Sequence, residues 1–144
     1  MLGLRTANSP MTAGKTDRPA AGHILRYVYL FEEEQRRGRD EGVKERFVVV
    51  VGVEGSRYLV AAITTKGEGR KNAVAIPDEI ARAAGLAPGS AIVVSEFNRF
   101  TWPGFDIRPL MKQPGYIAGR LPPRFTANII DAITAWRAAP VDRD

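Results

Sequence analysis

Two apolar runs joined by a short turn constrain the fold of this chain more than any other feature of its sequence. Residues 47–53 are Phe-Val-Val-Val-Val-Gly-Val, and residues 57–64 are also rich in branched and aromatic side chains. Such residues favour strands, whereas Glu54-Gly55-Ser56 between the two runs is typical of a turn. The pattern predicts an antiparallel hairpin, its first strand buried on both faces, within a small and strongly twisted sheet.

Shorter strands and two helices are expected around this hairpin. The residue pattern predicts strands over 23–31, 73–76 and 91–96. Pro77 opens a short helix that ends at Gly85.

A last helix begins near Pro122 and Pro123, and its side chains at helical spacing form one apolar face. The residues of that face are Phe125, Ile129, Ile130, Ile133 and Trp136. The stretch 97–120 is rich in proline and glycine and is expected to be irregular. The predicted fold class is mainly β with short helices (α+β), as a curled, partly closed barrel, because closure removes exposed sheet edges.

The chain has 144 residues, which suits one domain with a sizeable core. We expect this domain over residues 22–138. Residues 1–21 lack apolar periodicity and are expected to form a poorly ordered N-terminal arm, and residues 139–144 a frayed tail. Residues 32–46 mix acidic and basic side chains with two glycines, which predicts a long solvated loop of the kind that often carries function.

Composition excludes several classes of site. The chain has no cysteine and one histidine, His23, which rules out disulfides, cysteine nucleophiles and multi-histidine metal sites within one chain. It has no phosphate-binding loop, dinucleotide fingerprint or nucleophile elbow. No apolar run suits a membrane span or a signal peptide. We therefore expect a cytoplasmic protein without metal, cofactor or membrane contact, and its net charge of +5 permits a polyanionic partner.

The remaining polar chemistry is that of arginine, threonine and carboxylate side chains, which suits the cleavage of RNA. The internal 2′-hydroxyl of RNA is the nucleophile, so the protein needs only to align the phosphate, stabilise its charge and assist proton transfer. Arg46 begins the first hairpin strand and Thr64 ends the second, so pairing of the strands brings the two residues opposite each other. Arginine offers planar donors to a phosphate and threonine adds a hydroxyl. The alternative for Arg46 is a surface ion pair with Glu41 or Glu45.

Several motifs, in their order along the chain, resemble the MazF/PemK family of toxins from toxin–antitoxin pairs, in a form that looks PemK-like. The motifs are the aromatic strand Gly22–Phe31, Gly42-x-x-x-Arg46 before the valine-rich strand, Ala61-Ala62-Ile63-Thr64, the segment from Val94 to Pro109, and Gly119-Arg120-Leu121-Pro122. The resemblance runs from about Gly22 to Arg137. Phe47 stands where the family usually has proline, and His23 where it has aspartate.

The resemblance implies a homodimeric, metal-independent endoribonuclease with an SH3-like β-barrel. Such enzymes cleave single-stranded RNA, including mRNA, to a cyclic phosphate and a free 5′-hydroxyl, and a cognate antitoxin neutralises them. Arg46 corresponds to the family's catalytic arginine, Thr64 to its phosphate-stabilising threonine, and Glu41 to an acid in its substrate loop.

We also expect RNA contacts from basic and aromatic residues of the surrounding loops and strands. These residues are Lys44, Lys66, Arg70, Lys71, Arg99, Trp102 and Arg108. Packing in the core is an equal alternative for Trp102, and capping of strand ends is an alternative for Arg99 and Arg108.

Two interpretations as a binding module remain open. Residues 72–89 resemble the AbrB-type swapped-hairpin module that binds DNA, through Ile76-Pro77-Asp78-Glu79-Ile80 and Gly85-Leu86-x-Pro88-Gly89. The order strand, proline, helix, glycine and turn, which many folds share, is the simpler explanation. The second interpretation is a non-catalytic barrel of the same fold that binds a protein, such as a gyrase poison of the CcdB type. Arg46 and Thr64 would then be dispensable.

Overall fold

A computed structural model describes residues 18–31, 33, 44–65, 70–104, 106–110 and 115–143, and Lys44 by its backbone alone. Within these ranges the chain forms nine strands and two helices. In chain order they are β1 (His23–Tyr29), β2 (Lys44–Glu54), β3 (Arg57–Thr64), β4 (Ala73–Ala75), α1 (Asp78–Ala83), β5 (Ala91–Val93), β6 (Glu96–Thr101), β7 (Ile107–Arg108), β8 (Ile117–Arg120), α2 (Pro123–Trp136) and β9 (Ala139–Asp142).

The predicted hairpin is present as β2 and β3, which pair antiparallel from Val48 opposite Ala62 to the turn. The register shifts between Val50 and Gly52, so β2 carries one extra residue there and bends as bulged strands do. Glycine fits at position 52 because a Cβ atom there would lie 2.9 Å from Cδ1 of Leu59. The bulge increases the local twist of the sheet at its central strand pair.

All nine strands belong to one sheet, which confirms the mainly β fold class with short helices. The main path is β9-β6-β3-β2-β1-β7, with β8 beside β1, β5 beside β3 and β4 beside β5. The pairs are antiparallel except for β9, which runs parallel to β6. The expected barrel closure is not found: no strand pairing among the described residues joins β7 to β9, and the sheet is open.

One buried side chain makes the connection that strand pairing does not. The Asn98 side chain on β6 donates through Nδ2 to the Leu30 carbonyl at 2.7 Å and accepts from the Leu30 N–H through Oδ1 at 2.9 Å. Asn98 is 0% exposed, so both bonds form away from water. The amide thus imitates a strand partner and ties the end of β1 to β6 across the curl of the sheet.

The two faces of the sheet pack into two apolar clusters. One cluster joins the sheet to the helices through residues such as Ile63, Ala81 and Ile129. The other fills the inside of the curl and is rich in aromatic rings, with Tyr27 stacked on Phe100 at 5.0 Å between ring centroids. Strands β2 and β3 contribute to both clusters, which explains the continuous apolar run in β2.

The C-terminal segment differs from the expected frayed tail, because Ala139–Asp142 forms β9 beside β6. Val141 is fully buried there. Asp142 accepts hydrogen bonds from Arg99 at 2.5 and 2.9 Å and from Arg57 at 3.0 Å. The hydrogen bond from Arg99 is the main cause that lowers the pKa of Asp142 below its ordinary value, and the nearby charge of Arg57 adds to the effect. The contacts fix the segment because a buried side chain and an ion-pair cluster offset its loss of chain entropy.

The stretch 97–120 also differs from the expectation of irregular structure, since it contains most of β6 and all of β7 and β8. Strand β6 has polar residues at Asn98 and Arg99, so its sequence does not show the alternation of a typical strand. Its partners, β3 and β9, decide its conformation.

Candidate active site

The candidate site is a cleft where the two hairpin strands separate. In the described part of the chain, pairing between β2 and β3 stops at Val48 and Ala62. Beyond that point, Arg46 and its neighbours pair with β1, while Ile63 and Thr64 pair with β5. The strand ends therefore diverge, and a cleft of about 630 Å³ opens between them.

The described lining of this cleft combines positive charge with hydroxyl groups and an apolar wall. The described lining includes three arginines and one glutamate, so it has a net positive charge. Hydroxyl groups stand beside the arginines, and rings and aliphatic side chains complete the wall. The polar residues are Arg26, Arg46, Arg70, Thr64, Thr65, Ser90 and Glu45. A cleft of this kind suits a ligand with an anionic group and an apolar or aromatic part, as a nucleotide has.

Arg46 enters the cleft from the aromatic side of the sheet. It lies opposite Tyr27 in the β1–β2 register, and its Cζ atom is 4.8 Å from the centroid of the Phe31 ring. Its Nε atom is buried. The β2–β3 register, continued by two residues past Val48 and Ala62, aligns Arg46 with Thr64, and both residues line the cleft.

The single carboxylate in the described lining is held by a neighbouring arginine. Arg26 on β1 forms an ion pair with Glu45 on β2. The Nη1 atom of Arg26 also donates to the Pro109 carbonyl at 3.2 Å. Glu45 is exposed to solvent, so this pair contributes little to stability, and its main consequence is to orient a carboxylate at the cleft.

The structure brings together three of the residues that the sequence predicts for the site. Arg46, Thr64 and Arg70 line the same cleft although they come from three separate segments. Lys71 is exposed directly after Arg70. Glu41 and Lys66 lie outside the described residues, as does the side chain of Lys44.

The other three predicted residues lie away from the lining. Trp102 is 8% exposed and packs against Tyr58 and Tyr116 in the aromatic cluster, which is the core alternative. Arg99 pairs with Asp142 beside β9. Arg108 lies on β7 opposite Arg26, one strand away from the cleft.

Sequence reasoning missed the contribution of β1, and of Phe31 just after it, to the site. Arg26 and Phe31 line the cleft, and Glu45 and Ser90 complete its polar lining. A signal for Arg26 existed, since it is a charged residue inside an otherwise apolar strand pattern. For Phe31 the signal was the alternate spacing of Tyr27, Tyr29 and Phe31, which puts three rings on one face of an extended segment.

The segment that resembles a swapped DNA-binding hairpin packs into the core of this chain. Strands β4 and β5 pair with each other, and β5 continues the sheet beside β3. Ile76, Ala81 and Leu86 from this segment belong to the cluster between sheet and helices. This packing favours the simpler explanation, a shared order of local elements.

A scan against protein-family models and a search of the curated proteins found no match to this chain. Across the ranges that the structure describes, no helix has the length and apolar character needed to cross a membrane. The same ranges contain no group of three or more histidine, cysteine or acidic side chains that could hold a metal ion.

Proposed function

We propose that the protein is a metal-independent endoribonuclease that cleaves single-stranded RNA in the cleft between β2 and β3. The observation that carries this proposal is the shared cleft of Arg46 and Thr64, two residues from different strands that suit phosphate binding. The family resemblance supports the same reaction. The positive lining and the apolar wall suit the phosphate and the base of a nucleotide.

In the proposed reaction the RNA supplies its own nucleophile. The 2′-oxygen attacks the neighbouring phosphorus, the bond from phosphorus to the 5′-oxygen breaks, and a 2′,3′-cyclic phosphate and a 5′-hydroxyl result. Arg46 and the Thr64 hydroxyl donate hydrogen bonds to the non-bridging oxygens, where negative charge grows in the transition state. Arg70 adds positive charge at the cleft.

One proton must leave the 2′-hydroxyl and one must reach the departing 5′-oxygen. Arginine is a poor base, because its pKa lies above about 12. We propose the Glu41 carboxylate as the acceptor of the 2′-hydroxyl proton, and solvent water as the donor to the 5′-oxygen. Glu45 is the competing acceptor because it lines the cleft. Comparing Glu41→Gln with Glu45→Gln distinguishes them, since loss of the base lowers kcat and alters the acidic limb of the pH–rate profile.

The direct test is incubation of the purified protein with a long single-stranded RNA in excess chelator. We expect discrete fragments with 5′-hydroxyl ends from the wild type and none from Arg46→Ala. Arg124→Ala is the matched control, because Arg124 is exposed on α2 and does not line the cleft. Circular dichroism of each variant checks the fold.

Two outcomes would overturn this mechanism, and a third would overturn the ribonuclease function itself. Cleavage by Arg46→Ala at the wild-type rate would remove Arg46 from the site. Cleavage that is lost in chelator and restored by Mg²⁺ would indicate a metal-dependent nuclease. Intact RNA with a folded wild-type protein would favour the binding-module interpretations, which a DNA shift assay then separates from each other.

The biological setting follows from the resemblance alone and belongs to the same proposal. We propose a cytoplasmic toxin that acts on mRNA, forms a homodimer and is neutralised by a cognate antitoxin protein. A dimer is expected because one small domain offers only part of a groove for an RNA strand. Sedimentation at working concentration tests the dimer, and a monomer that cleaves RNA at full rate would contradict it.

A further inference from the structure

The Arg46 guanidinium contacts an aromatic pair at the edge of the cleft. Its Cζ atom lies 4.8 Å from the centroid of the Phe31 ring, within the distance of about 6 Å over which a ring attracts a cation. Phe31 in turn meets Tyr29 edge to face, with 4.8 Å between their ring centroids. Phe31 follows β1 and lines the cleft, so its ring lies between the core and the site.

The residues next to Phe31 in the chain are buried and hydrogen-bonded. Tyr29 is 1% exposed, and its hydroxyl group donates to Oε1 of Glu96 at 3.3 Å. Burial is the main cause that raises the pKa of Tyr29 well above its ordinary value, and the nearby Glu96 carboxylate adds to the effect. The hydroxyl group therefore keeps its proton. Leu30, between the two rings in the chain, is bound by the Asn98 amide.

We propose that Phe31 is a positioning residue that fixes the Arg46 guanidinium in the orientation needed to bind the scissile phosphate. This inference rests on the proposed ribonuclease function. A free arginine side chain samples many rotamers, and ordering it in the transition state would cost conformational entropy. Contact with the ring restricts the side chain before substrate binds, because an aromatic face attracts a nearby cation. Less entropy is then lost in the transition state.

The kinetic test compares three variants under single-turnover and steady-state conditions. Phe31→Leu is expected to lower kcat about tenfold and to change KM by less than about twofold, because the contact matters most where phosphate charge develops. Phe31→Tyr retains the ring and is expected to retain most of the rate. Phe125→Leu is the matched control, since Phe125 is a half-buried ring on α2 that does not line the cleft.

An NMR measurement without RNA reports on the contact itself. In the wild type the side-chain protons of Arg46 should be shifted by the ring current of Phe31, and Phe31→Leu should remove that shift while Phe125→Leu preserves it. A normal kcat in Phe31→Leu, or an equal loss in Phe125→Leu, would overturn the inference while the ribonuclease proposal stands. A wild type that cleaves no RNA would overturn both.

Discussion

Thr64 lies at the end of β3, half-buried, and its value to the proposed reaction depends on one hydroxyl group. Thr64→Val keeps the branched shape that a strand favours and removes that group. A hydrogen bond to a charged partner contributes about 1.5–3 kcal/mol, so we expect the cleavage rate to fall about 10- to 100-fold. Rate measurements beside a thermal melt check this. An unchanged rate would reduce Thr64 to a packing residue.

His23 is the single histidine of the chain, and its environment favours the neutral ring. Its Nδ1 atom accepts a hydrogen bond from the Ala20 N–H at 2.8 Å. Burial is the main cause that lowers the pKa of His23 below its ordinary value of 6.5, and the nearby positive charge of Arg120 lowers it further. The imidazole signals in an NMR titration should report this low pKa without ambiguity.

The same shift predicts a pH dependence of stability. Because the folded-state pKa is the lower one, the unfolded chain takes up the proton first as pH falls below about 6.5. The free energy of unfolding should therefore decrease from pH 7 towards the folded-state pKa and level off below it. Urea denaturation of wild type and His23→Gln over pH 7 to 5 measures this. An equal slope in both proteins would assign the effect to other groups.

The connection between the end of β1 and β6 depends on the Asn98 side-chain amide and not on strand pairing. Replacing Asn98 by leucine would leave the Leu30 N–H and carbonyl buried without these partners, which costs about 1–3 kcal/mol for each group. We expect Asn98→Leu to lower the free energy of unfolding by about 2–6 kcal/mol, the sum for the two groups. Asn98→Asp should also destabilise, since it turns a carboxylate oxygen towards the Leu30 carbonyl.

Urea denaturation measures both substitutions, with Asn128→Leu as the control because Asn128 is exposed on α2. A surface substitution of this kind usually changes stability by less than about 0.5 kcal/mol. If Asn98→Leu were as stable as the wild type, the amide would not be the element that holds the curled sheet together.

At the scale of the whole molecule, the parts that could be predicted were those that local pattern decides. The strand Arg57–Thr64 has the bounds that its residues and the Glu54-Gly55-Ser56 turn predict. Strand β9 could not be predicted, because Ala-Pro-Val-Asp has no strand pattern and its conformation depends on β6 and two arginines. The sequence around Asn98 gives no sign that its side chain is buried, because its hydrogen-bond partner, Leu30, lies 68 residues away in the chain.

The candidate site divides in the same way. Arg46 and Thr64 could be predicted because they sit at the open end of one hairpin, where register relates them. Arg26 and Phe31 stand out in the pattern of their segment, but the pattern does not relate them, or Ser90, to the cleft. They reach it because β2 and β3 separate and pair with different neighbours. The local propensities of the residues do not predict where the two strands separate.

The net positive charge of the chain predicts how RNA binding should respond to salt. Binding to single-stranded nucleic acid weakens with a log–log slope of about −0.7 for each phosphate contact. If the three arginines of the cleft each contact a phosphate, the slope should be roughly −2 or steeper.

A 2′-O-methyl RNA binds without being cleaved, so its affinity across a salt series measures this slope directly. Arg70→Ala should make the slope about 0.7 less steep, whereas Arg124→Ala should leave it unchanged. Binding that is insensitive to salt would mean that the charge of the cleft serves another ligand, because phosphate contacts necessarily release counterions.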